Sequence, residues 1–205
     1  TIHINNRKIL NGIFDEIGSI DKSTDILRII DKIEKIGAEK VQEELSELGI
    51  AGKEIETIMN FIKISGTNSE KIQTLKELGI KSEIFNTGVN ELEQVINLIK
   101  VCGVPEKNFE IDLTIARGLD YYTGTVYETF LDDYKKLGSV CSGGRYENLA
   151  EYYTDKKLPG VGISIGLTRF FYQARKEGLI KSEKTAISKV LVLPMTDNLE
   201  KCMEI

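Results

Sequence analysis

The spacing of apolar residues changes twice along the chain, and each change predicts a different kind of element. At the start, Ile2 and Ile4 alternate with polar residues, which is typical of a short strand. Asn6 can then cap a helix that continues through Ile17 and ends at Gly18, because a short polar side chain satisfies the first N–H groups of a helix. The chain is therefore expected to open with one strand and one helix.

The second stretch, from about Ser23 to Gly103, has apolar residues at every third or fourth position, which predicts five amphipathic helices. A helix often ends where a residue adopts the left-handed conformation, and glycine does so without steric cost. The glycines expected to end most of these helices are Gly37, Gly49, Gly66, Gly79 and Gly103.

The third stretch returns to strand patterns. Strands are predicted at residues 109–113, 125–130, 139–142 and 161–165, with glycine-rich turns between them. Two helices are expected among these strands, one beginning near Tyr146 and one from Leu167 to about Glu177. The pattern as a whole indicates an all-helical segment inserted between a strand–helix unit and a mostly antiparallel sheet.

Composition narrows the functional classes. The 205 residues are 41% hydrophobic with a formal charge of −5, which is typical of a globular domain, and no apolar run approaches the roughly 20 residues of a membrane helix. No signal-peptide pattern opens the chain, so a cytoplasmic location without membrane contact is expected. Three widely spaced cysteines favour reduced, buried thiols, and a single histidine, His3, argues against a Ser-His-Asp triad or a multi-histidine metal site.

Three glycine-rich clusters carry most of the candidate chemistry. Residues 117–124 place an arginine and two tyrosines beside two glycines. Residues 142–146 are Ser-Gly-Gly-Arg-Tyr, and residues 160–169 are predicted to run from a strand into a helix. A structural alternative stays open for the first two: an Arg117–Asp120 pair with packed tyrosines, and a bulge or tight turn at residues 142–146. The spacing of residues 160–169 matches neither phosphate-loop nor dinucleotide fingerprints.

Taken together, these clusters resemble the histidyl-tRNA synthetases, a family of class II aminoacyl-tRNA synthetases. Residues 117–122 (Arg-Gly-Leu-Asp-Tyr-Tyr) are similar to the first histidine-specific signature, and residues 142–146 to the second. Residues 160–169 resemble the third class II motif and end in its arginine. The resemblance implies an α+β fold in which a mostly antiparallel sheet with flanking helices is interrupted by an all-α insertion domain.

The same resemblance implies an arrangement in four parts. Residues 1–19 would follow the second class II motif, residues 20–104 would form the helical insertion domain on the side of the tRNA acceptor arm, residues 105–188 would form the catalytic core, and residues 189–205 would begin the anticodon-binding domain. The first and second class II motifs are not found, so the chain is expected to be a fragment that is inactive alone.

Roles for individual residues also follow from the resemblance. Arg117 would be the catalytic cation and would contact both histidine and ATP. The expected histidine-binding residues are Arg117, Tyr121, Tyr122, Gly143, Gly144 and Tyr146, with the two glycines as the floor of the pocket. The expected ATP-binding residues are Arg117, Gly166 and Arg169. No protein-bound metal is expected.

The implied activity is ATP-dependent activation of L-histidine followed by transfer to tRNA(His), with Mg²⁺ accompanying the ATP and with a homodimer as the complete protein. Eight cations of the helical segment could contact RNA phosphates or form a solvated charged face, namely Arg28, Lys32, Lys35, Lys40, Lys53, Lys63, Lys71 and Lys76. The alternatives are a non-catalytic regulatory subunit of ATP phosphoribosyltransferase, which shares the fold, and a helical protein-interaction module.

Overall fold

A computed structural model describes residues 1–115, 121–181, 188–190 and 193. The chain divides into two compact units, Thr1–Leu167 and Thr168–Ile205. The first unit contains a five-stranded sheet with helices packed on it, and the second contains most of the last described helix. The expected α+β architecture is confirmed.

The sheet is mixed and mostly antiparallel, as predicted. Its strands are β1 (Ile2–Asn6), β2 (Phe109–Ile111), β3 (Tyr122–Thr129), β4 (Cys141–Tyr146) and β5 (Gly160–Ile165). They lie in the order β2-β1-β3-β4-β5, in which only the β1–β2 pair is parallel among the described strands. The whole helical stretch is thus a long connection between two neighbouring parallel strands.

The described helices are α1 (Arg7–Glu16), α2 (Ser23–Ile30), α3 (Ile33–Ile36), α4 (Ala38–Glu47), α5 (Gly52–Ile62), α6 (Asn68–Glu77), α7 (Glu83–Val101) and α8 (Leu167–Lys176). The predicted glycines, from Gly18 to Gly103, all have φ between +68° and +118°, the region that glycine enters most easily. Asn6 caps α1, since its side chain accepts a hydrogen bond from the N–H of Lys8 at 2.9 Å.

Helix α1 and helix α7 cross at very short range on one face of the sheet. A Cβ atom at Gly12 of α1 would stand 2.5 Å from the Cα of Phe85, and one at Gly88 of α7 would stand 2.7 Å from the backbone N of Ile9. The crossing helps to form a continuous apolar core that reaches Ile4 of β1. Although α7 lies inside the predicted insertion of residues 20–104, it packs directly on the sheet, and the domain boundaries stay a prediction.

Three local expectations were wrong. No α-helix begins at Tyr146, because pairing with β5 extends β4 through that residue and only a short 3₁₀ turn, Leu149–Tyr152, follows. The first predicted helix after Ser23 is divided into α2 and α3. Cys102 and Cys141 are free thiols as expected, but neither is buried, since Cys102 is exposed and Cys141 is half-buried. Cys202 lies outside the described residues.

Among the helices that the structure describes, none combines the length and the apolar character that crossing a lipid bilayer requires.

Candidate functional site

The register of the sheet brings two of the candidate tyrosines together. Tyr122 of β3 is opposite Tyr146 of β4, and Tyr146 is opposite Gly160 of β5. Residues directly opposite each other point to the same face of a sheet. Tyr122, Tyr146 and Gly160 therefore lie side by side on one face, which we call the tyrosine face.

The three candidate tyrosines form an aromatic cluster on this face. The ring of Tyr121 lies 4.7 Å from that of Tyr122 and 5.9 Å from that of Tyr146 between centroids, both in edge-type geometry. Burial and the neighbouring phenol of Tyr121 raise the pKa of Tyr122 to about 12. At neutral pH this phenol is therefore protonated and can donate a hydrogen bond to a ligand.

Glycines make room for these rings. A Cβ atom at Gly144 would stand 2.8 Å from Cδ1 of Tyr122, and one at Gly160 would stand 2.6 Å from Cε2 of Tyr146. Side chains at these positions would push the rings off the sheet. Gly160 was missed as a site residue by the sequence analysis, and its signal was the Gly-Val-Gly alternation at the start of a predicted strand.

Gly143 faces the other side of the sheet from Gly144, although both were predicted to form one pocket floor. A Cβ atom at Gly143 would stand 2.1 Å from the carbonyl oxygen of Gly162 and 2.5 Å from the hydroxyl of Tyr127. That hydroxyl donates a hydrogen bond of 2.8 Å to the same carbonyl. The absence of a side chain at Gly143 thus leaves room for the Tyr127 side chain to pass over β4 on the face opposite the tyrosine face. Gly144 lies on the tyrosine face, next to the Tyr122 ring.

Of the expected ATP-binding residues, Gly166 lies away from the tyrosine face within the first unit. Gly166 follows β5, and its N–H donates to the carbonyl of Val140 at 2.8 Å. It is therefore at the opposite end of the β4–β5 ladder from Gly160, about 20 Å away at the usual rise per residue. Arg169 belongs to the second unit, where it is exposed in the first turn of α8. Arg117 lies outside the described residues.

The eight cations of the helical segment divide into two groups. Four are engaged: Lys32 with Glu44 at 2.9 Å, Lys76 with Glu93 at 2.7 Å, Arg28 with Asp25 at 3.3 Å, and Lys71 with the carbonyl of Ile111 at 2.6 Å. Lys35, Lys40, Lys53 and Lys63 are exposed and have no ion-pair or hydrogen-bond partner within the described ranges.

No group of three or more His, Cys, Asp or Glu side chains able to hold a metal ion occurs within the part of the chain that the structure describes.

Comparisons with known proteins identify the relatives of this chain. Residues 1–170 match the family model of histidyl-tRNA synthetase. A histidine–tRNA ligase of Clostridium tetani is 57% identical over 206 residues, covering 100% of this chain and 47% of that protein. The crystal structure of histidyl-tRNA synthetase from Nostoc sp. PCC 7120 superimposes with a TM-score of 0.85 at 46% identity, covering 98% of this chain and 48% of that one.

A third comparison concerns the fold alone. A crystal structure from Bacillus halodurans C, described as an ATP phosphoribosyltransferase regulatory subunit/histidyl-tRNA synthetase, has a TM-score of 0.66 and 20% identity, covering 87% of this chain and 51% of that chain. The present chain spans about half the length of the relatives that it matches.

Proposed function

Because this chain belongs to the histidyl-tRNA synthetase family, we propose that the complete protein activates L-histidine with ATP and transfers it to tRNA(His). The structural observation that supports this most directly is the tyrosine cluster, in which the phenol rings of Tyr122 and Tyr146 lie over glycines on one face of the sheet. A histidine substrate offers an imidazole and an α-amino group that such phenols can bind by hydrogen bonds.

The first step joins two anions. A carboxylate oxygen of histidine attacks the α-phosphorus of ATP, a new P–O bond forms, and the bond to the β-phosphate oxygen breaks as pyrophosphate leaves with its electron pair. Negative charge accumulates on the α-phosphate oxygens in the transition state, so a fixed cation there accelerates the step. We assign this role to Arg117, whose planar guanidinium can contact carboxylate and phosphate together.

Recognition of histidine is assigned to Tyr121, Tyr122 and Tyr146. The Tyr122 phenol is protonated at neutral pH, and burial raises its pKa further, to about 12. A pocket whose polar groups are left unpaired by a wrong amino acid rejects it by about 10⁴-fold in favourable cases. Gly144 and Gly143 are assigned supporting roles, because a Cβ at Gly144 would meet the Tyr122 ring and one at Gly143 would meet Tyr127 on the reverse face.

ATP is assigned to Arg117, Gly166 and Arg169, with Mg²⁺ arriving on the triphosphate. The triphosphate is the natural ligand for Mg²⁺, which is commonly held by one or two carboxylates together with substrate phosphates.

The helical segment is assigned to the acceptor arm of tRNA(His), which it would contact through exposed lysines. The complete protein is proposed to be a cytoplasmic homodimer. A regulatory subunit of the ATP phosphoribosyltransferase kind remains the alternative, and it has support from the fold alone at 20% identity.

The proposal is tested by amino-acid-dependent ATP–pyrophosphate exchange on the complete protein, with Arg117→Ala alongside. Exchange should depend on histidine and on none of the other amino acids. Arg117→Ala should lower the exchange rate at least about 10²-fold, the usual cost of removing one preorganised transition-state donor.

Arg28→Ala is the matched control, because Arg28 is an exposed arginine whose partner is Asp25 in its own helix. It should leave exchange unchanged, since the assay contains no tRNA. Exchange near the wild-type rate in Arg117→Ala would overturn the assignment of that residue. Absence of exchange from a folded, histidine-binding wild-type protein would favour the regulatory alternative.

A further inference from the structure

Beyond the tyrosines, the same face of β4 and β5 continues with two pairs of small residues. Gly144 is opposite Gly162, and Ser142 is opposite Ser164. Since alternate residues of a strand share a face, both pairs lie on the tyrosine face. At the usual rise of about 3.4 Å per residue, the glycine pair is about 7 Å and the serine pair about 14 Å from Tyr146 along the strands.

The glycine pair leaves a stretch of bare backbone on this face. Among the described residues, a Cβ atom at Gly162 would meet only Cε1 of Tyr146, at the ordinary contact distance of 3.4 Å. The φ angle of Gly162 is also outside the left-handed region. An alanine would therefore fit the protein here, in contrast to Gly144 and Gly160, where tyrosine rings fill the space. The space above Gly162 is open to a ligand.

The serine pair offers two hydroxyl groups beyond this bare backbone. Both serines are exposed, and neither hydroxyl has a hydrogen-bond partner among the residues that the structure describes. The Cβ atoms of directly opposite residues in antiparallel strands are about 5 Å apart. The two hydroxyls can therefore reach neighbouring groups of one ligand.

The charges around the serines favour a neutral ligand group over a phosphate. Glu128 of β3 is opposite Ser142, and its carboxylate repels anions. Within the described strands β4 and β5, Arg145 is the only cation, and it lies on the other face of the sheet, opposite Val161. A sugar hydroxyl both donates and accepts hydrogen bonds, as a serine hydroxyl does. The serine pair therefore suits a sugar diol.

The groups of the assigned substrates follow the same order as these residues. Histidine is assigned to the tyrosines and ATP to Gly166 at the far end of the β4–β5 ladder, and the ribose of histidyl-adenylate lies between the amino acid and the base. We propose that Ser142 and Ser164 bind the two ribose hydroxyls of ATP, one each, and that the linkage from ribose to histidine passes over Gly162. This assignment deepens the function proposed above and rests on it.

The test is histidine-dependent pyrophosphate exchange by the complete protein with ATP, 2′-deoxyATP and 3′-deoxyATP, without tRNA. The wild type should use each analogue about three- to tenfold less efficiently than ATP, measured as kcat/KM, which is the range of one net hydrogen bond. Ser142→Ala and Ser164→Ala should each lower kcat/KM for ATP by a similar factor. Each should leave kcat/KM unchanged for one analogue, because the missing serine and the missing sugar hydroxyl form the same hydrogen bond.

Two further variants complete the design. Ser46→Ala is the matched control, because Ser46 is an exposed serine of α4. It should leave kcat/KM unchanged for all three nucleotides. Gly162→Ala should keep the wild-type thermal unfolding midpoint, since its methyl group makes an ordinary contact within the protein. It should lower kcat/KM for ATP about tenfold, because the methyl group occupies the space of the ligand.

The outcomes that contradict ribose binding are specific. Serine variants that lower kcat/KM equally for ATP and both analogues, or not at all, would overturn it, and so would a wild type that uses the three nucleotides equally. Wild-type exchange by Gly162→Ala would overturn the path over the glycine pair. Failure of the proposed function has a different signature, because the wild-type and Ser46→Ala proteins would then show no histidine-dependent exchange with ATP.

Discussion

At the scale of single residues, the site depends on matched pairs of a glycine and an aromatic ring. Gly144 accommodates Tyr122, Gly160 accommodates Tyr146, and Gly143 accommodates Tyr127 on the reverse face. In each case a Cβ atom would come within 3 Å of the ring or its hydroxyl, which real Cβ contacts do not tolerate. The glycines therefore determine how close each ring lies to the sheet.

We expect Gly144→Ala in the complete protein to raise the KM for histidine about tenfold. The new methyl group would displace the Tyr122 ring, and overpacking of this kind costs about 1–3 kcal/mol, of which 1.4 kcal/mol corresponds to a tenfold change in affinity. The measurement is pyrophosphate exchange as a function of histidine concentration.

Gly52→Ala is the control for this substitution. Gly52 is the first residue of α5 and a Cβ atom there would meet nothing within 4 Å. It should leave the KM unchanged. An unchanged KM in Gly144→Ala as well, in a folded protein, would separate Tyr122 from histidine binding.

At the scale of elements, the crossing of α1 and α7 joins the helical stretch to the sheet. Both helices contribute a glycine at the contact, Gly12 against Phe85 and Gly88 against Ile9, so the backbones approach without intervening side chains. Helix α7 also lies against β1 and β3. The crossing therefore fixes the last helix of the stretch to the strands that lead to the tyrosine face.

Gly88→Ala should destabilise this crossing by about 1–3 kcal/mol through overpacking, because its Cβ would stand 2.7 Å from the backbone N of Ile9. Intrinsic helix propensity alone predicts the opposite sign, since alanine is favoured over glycine by about 1 kcal/mol in a helix interior. Amide hydrogen exchange of α1 and α7 measures the local free energy of opening. Slower exchange in Gly88→Ala, meaning a stabilised crossing, would contradict the close approach of the two helices.

At the scale of the whole molecule, the formal net charge is −5, and the cations of the helical segment differ in whether they are already paired. The engaged cations of the helical segment already have acidic or carbonyl partners, such as Glu44 for Lys32 and Glu93 for Lys76. The other lysines are exposed without such partners within the described ranges. An RNA phosphate can pair with these without first breaking an existing bond, so they are the stronger candidates for contact with tRNA.

Replacing Lys40 and Lys63 by glutamine should weaken tRNA binding and reduce its dependence on salt. Each lost phosphate contact should lower the slope of log K against log salt concentration by roughly 0.7–0.9. Binding of tRNA(His) transcript to the complete protein at several salt concentrations measures the slope. The control is the double variant Lys32→Gln and Lys76→Gln, which should change the slope less because both lysines are already paired. An equal change of slope in the two double variants would show that ion pairing in the free protein does not determine which lysines contact RNA.

The sequence by itself determined the local features of this protein. Helix ends at Gly37, Gly49 and Gly79 and the cap at Asn6 depend on backbone preferences of a few adjacent residues, and they were predicted correctly. The alternating strands and the three clustered signatures are also properties of adjacent residues. They were sufficient to indicate the α+β class and the family.

Only the tertiary structure decided which of these residues meet. Pairing with β5 extends β4 through Tyr146, where the local pattern favoured a helix. The strand alternation then separates Gly143 from Gly144, and Asn5 reaches Ile115 across 110 positions of sequence. Register depends on partners far along the chain, and a shift of one residue would exchange the two faces of a strand. No pattern within a short window carries that information, because the free energy that selects the register comes from contacts that exist only after folding.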